Sequence, residues 1–121
     1  MKYLIVFLGA GAGGSLRYWV SSAVMKFFPV LFPFGTLAVN FLGSFILGIL
    51  IYGLGDRELV SSNMRLLLGV GFCGGFTTFS TFSLETLNLL HDSQFLFAGL
   101  NIILNILLSL IAVYIAYMIT R

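Results

Sequence analysis

The sequence predicts an all-α integral membrane protein of four transmembrane helices, the third of them broken, and three observations predict it. Of the 121 residues, 60% are hydrophobic and 8% are charged, with a mean hydropathy of +1.10, more apolar surface than a soluble core of this length can bury. Apolar runs recur four times, each near the ~20 residues needed to cross the hydrocarbon of a bilayer. The stretch GFCGGFTTFSTF, residues 71–82, sets paired glycines and a cluster of hydroxyls in the middle of one such run. Non-helical backbone at membrane depth survives only where it is buried in protein or lines a polar cavity, so Gly74, Gly75, Thr77 and Thr78 mark a helix interrupted for a purpose.

The elements follow in order as one transmembrane domain over residues 1–121. The first span covers residues 3–25 and is stopped by Lys26, Pro29 and Pro33, since proline cannot continue a helix interior. The second covers residues 34–54. Gly55, Asp56, Arg57 and Glu58, with Ser61, Ser62 and Asn63, form a polar connection to the third span, residues 64–90, which is broken near 74–78. His91, Asp92, Ser93 and Gln94 make a short turn into the fourth, residues 95–119. An even number of spans places both termini on one side. Lys2, Arg57, Arg65 and Arg121 fall on that side against Lys26 and Arg17 opposite, a bias toward termini facing the cytoplasm.

Two tempting patterns in the first span have plainer readings. Lys2, the apolar run and the small residues Ala10, Gly11 and Ala12 resemble a cleavable leader, yet the apolar stretch continues well past them. Gly9, Gly11 and Gly14 have the spacing of a dinucleotide-binding turn, but no acidic residue lies about 20 positions on and no βαβ unit follows. Gly9 and Gly13 instead form a GxxxG pair, which lets transmembrane helices approach closely.

Helical spacing locates the polar faces. Thr36, Asn40, Gly43, Ser44 and Gly48 share one stripe of the second span, and Ala98, Asn101, Asn105, Ser109, Ala112 and Ala116 share one of the fourth. Such stripes serve helix packing. The third span adds Thr77, Thr78, Ser80, Thr81 and Ser83, more hydroxyls than packing requires, and the three faces together suit a hydrated path. Phe76, Phe79 and Phe82 recur every third residue beside them, as core packing or as ring edges whose partial positive charge can meet a small anion without trapping it. Four helices of one short chain leave no pore between them, so a conducting form is an oligomer, with two-fold assembly the commonest solution. Hydrolytic chemistry is excluded because no His, Asp or Glu sits among the Ser and Thr cluster to activate a nucleophile. The single cysteine, Cys73, allows neither a disulfide framework nor a cysteine metal site, and a net charge of +2 without a basic run argues against nucleic acid.

With these residues in view the chain resembles the Fluc (CrcB-type) fluoride channels over its whole length. The resemblance rests on the glycine-rich first span ending in Arg17 and Tyr18, on GTLAVNFLGSFILG at residues 35–48, and on GFCGGFTTFSTFSLE at residues 71–85. It implies passive export of fluoride through the cell inner (plasma) membrane by an antiparallel, dual-topology homodimer with two pores. It also implies pore roles for Asn40, Phe79, Phe82, Ser80, Thr81 and Ser109, with Asn105 a weaker candidate. A structural sodium ion at the dimer axis, held by the backbone carbonyls of Gly74 and Thr77, is implied in the same way. The basic-residue bias leaves open a pairing with a homologous subunit of opposite orientation instead of a homodimer.

Arg17 reads either as a vestibule attractor for anions or as a side chain snorkelling to the interface. Glu85 is a hydrogen-bonded element near the third helix, since a carboxylate in the path would oppose an anion. The alternative function, a small four-helix proton-coupled multidrug exporter, needs a deeply buried carboxylate, for which Glu85 is the only candidate.

Overall fold

A computed structural model describes residues 1–28, 31–55 and 59–121, and every regular element among them is helical. Pro29, expected to help stop the first helix, and Asp56, Arg57 and Glu58 of the expected central connection lie outside the described residues.

Helix α1 spans Lys2–Phe27. Its far end is closed by aromatic packing: Phe28 and Phe32 lie 5.4 and 4.9 Å from Phe34 between ring centroids, and Phe32 meets Phe97 edge-on at 5.8 Å. Helix α2, Phe34–Gly48, starts directly after Pro33, where a missing N–H costs nothing, and widens into a π-helical stretch, Ile49–Gly55. Helix α3, Ser62–Arg65, begins at Ser61, whose hydroxyl accepts the Met64 N–H at 3.2 Å and so satisfies one of the free donors of a helix start. It continues through a second π-helical stretch, Leu66–Cys73, into the short α4, Gly74–Phe76. Thr77 then takes extended backbone (φ −90°, ψ 162°), and helix resumes with α5, Ser80–His91. A tight turn in which Ser93 adopts φ 59° leads to α6, Phe95–Thr120.

Three of these helical stretches are long and apolar enough to cross a membrane: Phe34–Gly55, Ser62–His91 and Phe95–Thr120. The chain is thus an integral membrane protein built of helices. Helix α1 has the length, 26 residues, but its glycines, its serines and Arg17 dilute its apolar content below that of the other three.

Packing is by small residues. Gly9 and Gly13 of α1 are buried against the second π-helical stretch: a Cβ at Gly9 would strike the Leu67 carbonyl, and one at Gly13 the Phe72 carbonyl. The facing positions reciprocate, with a Cβ at Gly71 reaching the Gly9 Cα at 3.0 Å and one at Gly75 the Ala10 Cα at 2.9 Å. Two glycine pairs spaced by four therefore meet face to face, and the backbones approach as the GxxxG spacing in α1 leads one to expect. Helix α6 turns its small stripe inward, burying Ala98, Asn101, Asn105, Ala112 and Ala116, and Tyr117 packs edge-on to Tyr52 at 5.1 Å.

Candidate functional site

The interruption between α4 and α5 organises the site. In a continuous helix the Thr78 N–H would bond the Gly74 carbonyl and the Thr81 N–H the Thr77 carbonyl. Both donors are diverted. The Thr78 N–H donates to Asn40 Oδ1 at 2.8 Å, and the Thr81 N–H donates to the Thr78 hydroxyl at 3.1 Å. The carbonyls of Gly74 and Thr77 are thereby released from helical pairing. Thr77 is anchored upstream, its N–H and its hydroxyl both donating to the Cys73 carbonyl at 3.1 and 2.9 Å.

Asn40, on α2, treats Thr78 as a strand would treat a neighbour. Its Oδ1 accepts the Thr78 N–H while its Nδ2 donates to the Thr78 carbonyl at 3.1 Å. The second Nδ2 hydrogen goes to Asn105 Oδ1 on α6 at 3.0 Å. Asn105 donates in turn to the side-chain and backbone oxygens of Asn101 at 2.9 and 2.8 Å. Asn101 Nδ2 donates to the Thr86 hydroxyl at 2.9 Å, which donates to the Phe82 carbonyl at 2.8 Å. Asn101, Asn105 and Thr86 are all buried, and each is hydrogen-bonded, as buried polar groups must be.

A cavity of about 390 Å³ lies against this network. Asn40, Gly43 and Ser44 line it from α2, Gly74 from α4, Thr77, Thr78 and Phe79 from the interruption, Phe82 from α5, and Asn105 and Ser109 from α6. Among the described residues that line it, none carries a formal charge; amides, hydroxyls, peptide groups and rings make the polar and aromatic wall. Phe79 and Phe82 sit 5.4 Å apart with ring planes tilted by 54°. Phe82 is 9% exposed and Phe79 78%, so one ring is fixed in the chain and the other presented outward.

Of the residues singled out in the sequence, Asn40, Phe79, Phe82, Ser109, Gly74 and Thr77 are brought together around this one cavity. Ser80 and Thr81 are not part of its lining. They form the first turn of α5, where the Ser80 hydroxyl is within 3.4 Å of the Thr78 hydroxyl. Arg17 is also elsewhere: its Nε donates to the Gly75 carbonyl at 3.1 Å, so the guanidinium sits at the carboxyl end of the helix preceding the interruption, where a cation complements the helix dipole. Glu85 lines a second cavity of about 320 Å³ with Ser21, Thr36, Asn88 and Asp92. Thr36 hydrogen-bonds its carboxyl group, and Oε1 is buried with no partner among the described residues.

Thr86 is the network member that the sequence did not single out; Thr78 and Asn101 were singled out, but not for the hydrogen bonds they make. Thr78 carried a signal in its three-residue spacing from Thr81, which suits a hydroxyl capping the start of α5. Asn101 carried one in its place on the same stripe as Asn105.

Fold and site together define a helical membrane protein with an uncharged, largely apolar cavity that amides, hydroxyls and phenyl rings enter where a helix is interrupted, the class in which channels and transporters fall. The family model described as "CrcB-like protein, Camphor Resistance (CrcB)" matches residues 4–117, and the chain belongs to that family. It is 48% identical over 111 residues, 92% of this chain and 89% of the relative, to a protein of Shewanella sp. (strain ANA-3) named "Fluoride-specific ion channel FluC". A protein of Methylocella silvestris with the same name is 40% identical over 121 residues, 98% of this chain and 92% of the relative. The family is one of ion channels and not of enzymes.

Proposed function

We propose that this chain forms a fluoride-selective channel that passively exports fluoride from the cytoplasm across the plasma membrane, with α1 as the fourth crossing. The observation that carries the reading is the uncharged cavity at residues 77–82 in a chain whose relatives bear a fluoride channel's name. Fluoride is strongly hydrated, and a path for it must replace that water with many weak contacts. Hydroxyl hydrogens from Ser80, Thr81 and Ser109 and the ring edges of Phe79 and Phe82 are of this kind, whereas a lysine or arginine in the path would hold the ion; Asn40, whose two Nδ2 hydrogens go to Thr78 and Asn105, offers its amide to the ion only by giving up one of those bonds. Arg17 acts from outside the cavity, on the vestibule side, through its hold on the Gly75 carbonyl. Export needs no pump, because an interior-negative potential favours anion exit by about 2.3 kcal/mol per charge per 100 mV.

The working unit in this reading is an antiparallel dimer with two pores, a homodimer or a pairing with a homologous subunit. The outward Phe79 supports a second copy that completes each path. The released carbonyls of Gly74 and Thr77 suit a hard cation, since such ions take several oxygens and need no carboxylate among them. Two carbonyls from each of two copies would hold a sodium ion, whose charge steadies the crossing and favours anions beside it. The exporter alternative is not favoured, because Glu85 lies in the other cavity, away from the aromatic and hydroxyl wall.

The test is fluoride release from liposomes containing the purified chain, with chloride-loaded liposomes and Phe82→Ile alongside. Rapid fluoride release without chloride release, reduced by about tenfold or more in the variant, is the expected outcome. Well-folded protein, alone and with a homologous partner, that releases no fluoride overturns the reading.

A further inference from the structure

We infer that Asn101, which is not among the residues lining the cavity, is a positioning residue: it closes a one-way ring of hydrogen bonds that holds the segment carrying Phe79 and Phe82 at both ends. The inference rests on the channel reading for its functional consequence but not for its geometry.

The ring can be followed donor to acceptor. The Thr78 N–H donates to Asn40 Oδ1, Asn40 Nδ2 to Asn105 Oδ1, and Asn105 Nδ2 to Asn101 Oδ1. Asn101 Nδ2 donates to the Thr86 hydroxyl, and that hydroxyl to the Phe82 carbonyl. Five links of 2.8 to 3.0 Å leave the chain at residue 78 and return to it at residue 82. Phe79, Ser80 and Thr81 are enclosed between the two points of attachment.

Every link points the same way, and this gives the ring its function. A carboxamide has one donating and one accepting end, so turning over any one amide sets donor against donor on one side and acceptor against acceptor on the other. The directions of Asn40, Asn105 and Asn101 are therefore mutually enforced, and aligned links polarise one another. Asn101 is the member where the ring crosses from α6 to α5, through Thr86. It is fully buried, so bulk water does not share its hydrogen bonds in the intact ring. Remove its carboxamide and two groups lose their partners at once: Asn105 Nδ2 keeps only the Asn101 backbone oxygen, and Thr86 loses the donor that fixes its hydroxyl toward Phe82. Asn40 keeps its two bonds to Thr78 but loses the enforced direction passed on through Asn105, and the attachment at Phe82 is loosened.

The experiment uses the full-length chain in lipid nanodiscs and liposomes, with Asn101→Ala, Thr86→Val, Thr86→Ser and the double variant Asn101→Ala with Thr86→Val. The first readout is hydrogen exchange at residues 77–82, which involves no fluoride. Losing one buried hydrogen bond of this kind is expected to raise exchange there about tenfold in Asn101→Ala and Thr86→Val, with the Gly9–Gly71 contact region unchanged. Thr86→Ser, which keeps the hydroxyl, is expected to match the parent. The second readout is fluoride release, expected to fall about tenfold in each of the two disruptive variants and no further in the double variant, because both cut the same ring. Unchanged exchange at residues 77–82 in Thr86→Val overturns the inference even if Asn101→Ala fails to fold. So does a double variant whose losses multiply. A parent that releases no fluoride counts against the channel reading instead, and the exchange result still decides whether the ring exists.

Discussion

Asn40 shows how much a single side chain can settle. Its carboxamide imitates a peptide group, giving Thr78 the two hydrogen bonds that a helix would otherwise have provided, and so an interruption in apolar surroundings leaves that residue's backbone satisfied. The stripe containing Asn40 was legible in the sequence because polar and small residues repeat every three or four positions. The identity of its partner was not, since spacing along α2 says nothing about which peptide group of another helix lies opposite. The same holds for Arg17, whose charge was plain and whose acceptor, a carbonyl 58 residues on, was not. Ser93 illustrates strain at this scale. Its φ of 59° lies in the left-handed region, where a Cβ costs about 1–2 kcal/mol and glycine nothing. Ser93→Gly is expected to raise stability by about 0.5–1 kcal/mol, less than the full strain because glycine also gains freedom on unfolding, and thermal unfolding in detergent measures it.

Among the elements, helix extents were the most legible feature. Apolar runs end at polar or proline-bearing stretches, and α6 ends at Thr120 just before the terminal Arg121. The π-helical stretches were not legible. Leu66, Leu67 and Leu68 are followed by Gly69, Val70 and Gly71, and a run so uniformly apolar carries no phase from which a change of helical pitch can be read. The interruption was signalled by Gly74 and Gly75, yet these residues are helical and the non-helical backbone falls at residues 77–79, after them. Gly75 serves close packing against Ala10, whereas Gly74 has open space around it, and Asn40 and the Thr78 hydroxyl take over the backbone's hydrogen bonds beyond them. The contact of α1 with the helix before the interruption is correspondingly intolerant. Gly13→Val sets a branched side chain against the Phe72 carbonyl and is expected to cost about 1–3 kcal/mol or to separate the two helices, seen as a lowered unfolding midpoint. Gly11→Val, on the same helix with open space around it, is the control and is expected to be near neutral.

For the whole molecule, composition was decisive: apolar content and helical periodicity define a helical membrane protein, and the motifs at residues 35–48 and 71–85 carried the family resemblance that the comparisons then showed. Dual topology predicts that Arg121→Cys, introduced with Cys73→Ser and probed on sealed vesicles with an impermeant maleimide, is labelled in about half of the molecules. Complete labelling or complete protection would assign a single orientation, in keeping with the basic residues on the side of the termini, and would call for a homologous partner facing the other way.

The uncharged lining of the cavity has a consequence for the acid-stressed cell. Hydrofluoric acid is weak, enters membranes as the neutral molecule and releases its proton inside, so the burden of fluoride rises as the surroundings acidify. Carboxylate or imidazole sites would change their charge over that range. Carboxamides, hydroxyls, peptide carbonyls and phenyl rings have no proton to take up there. In the proposed channel, the wall that fluoride meets is the same wall when the danger is greatest.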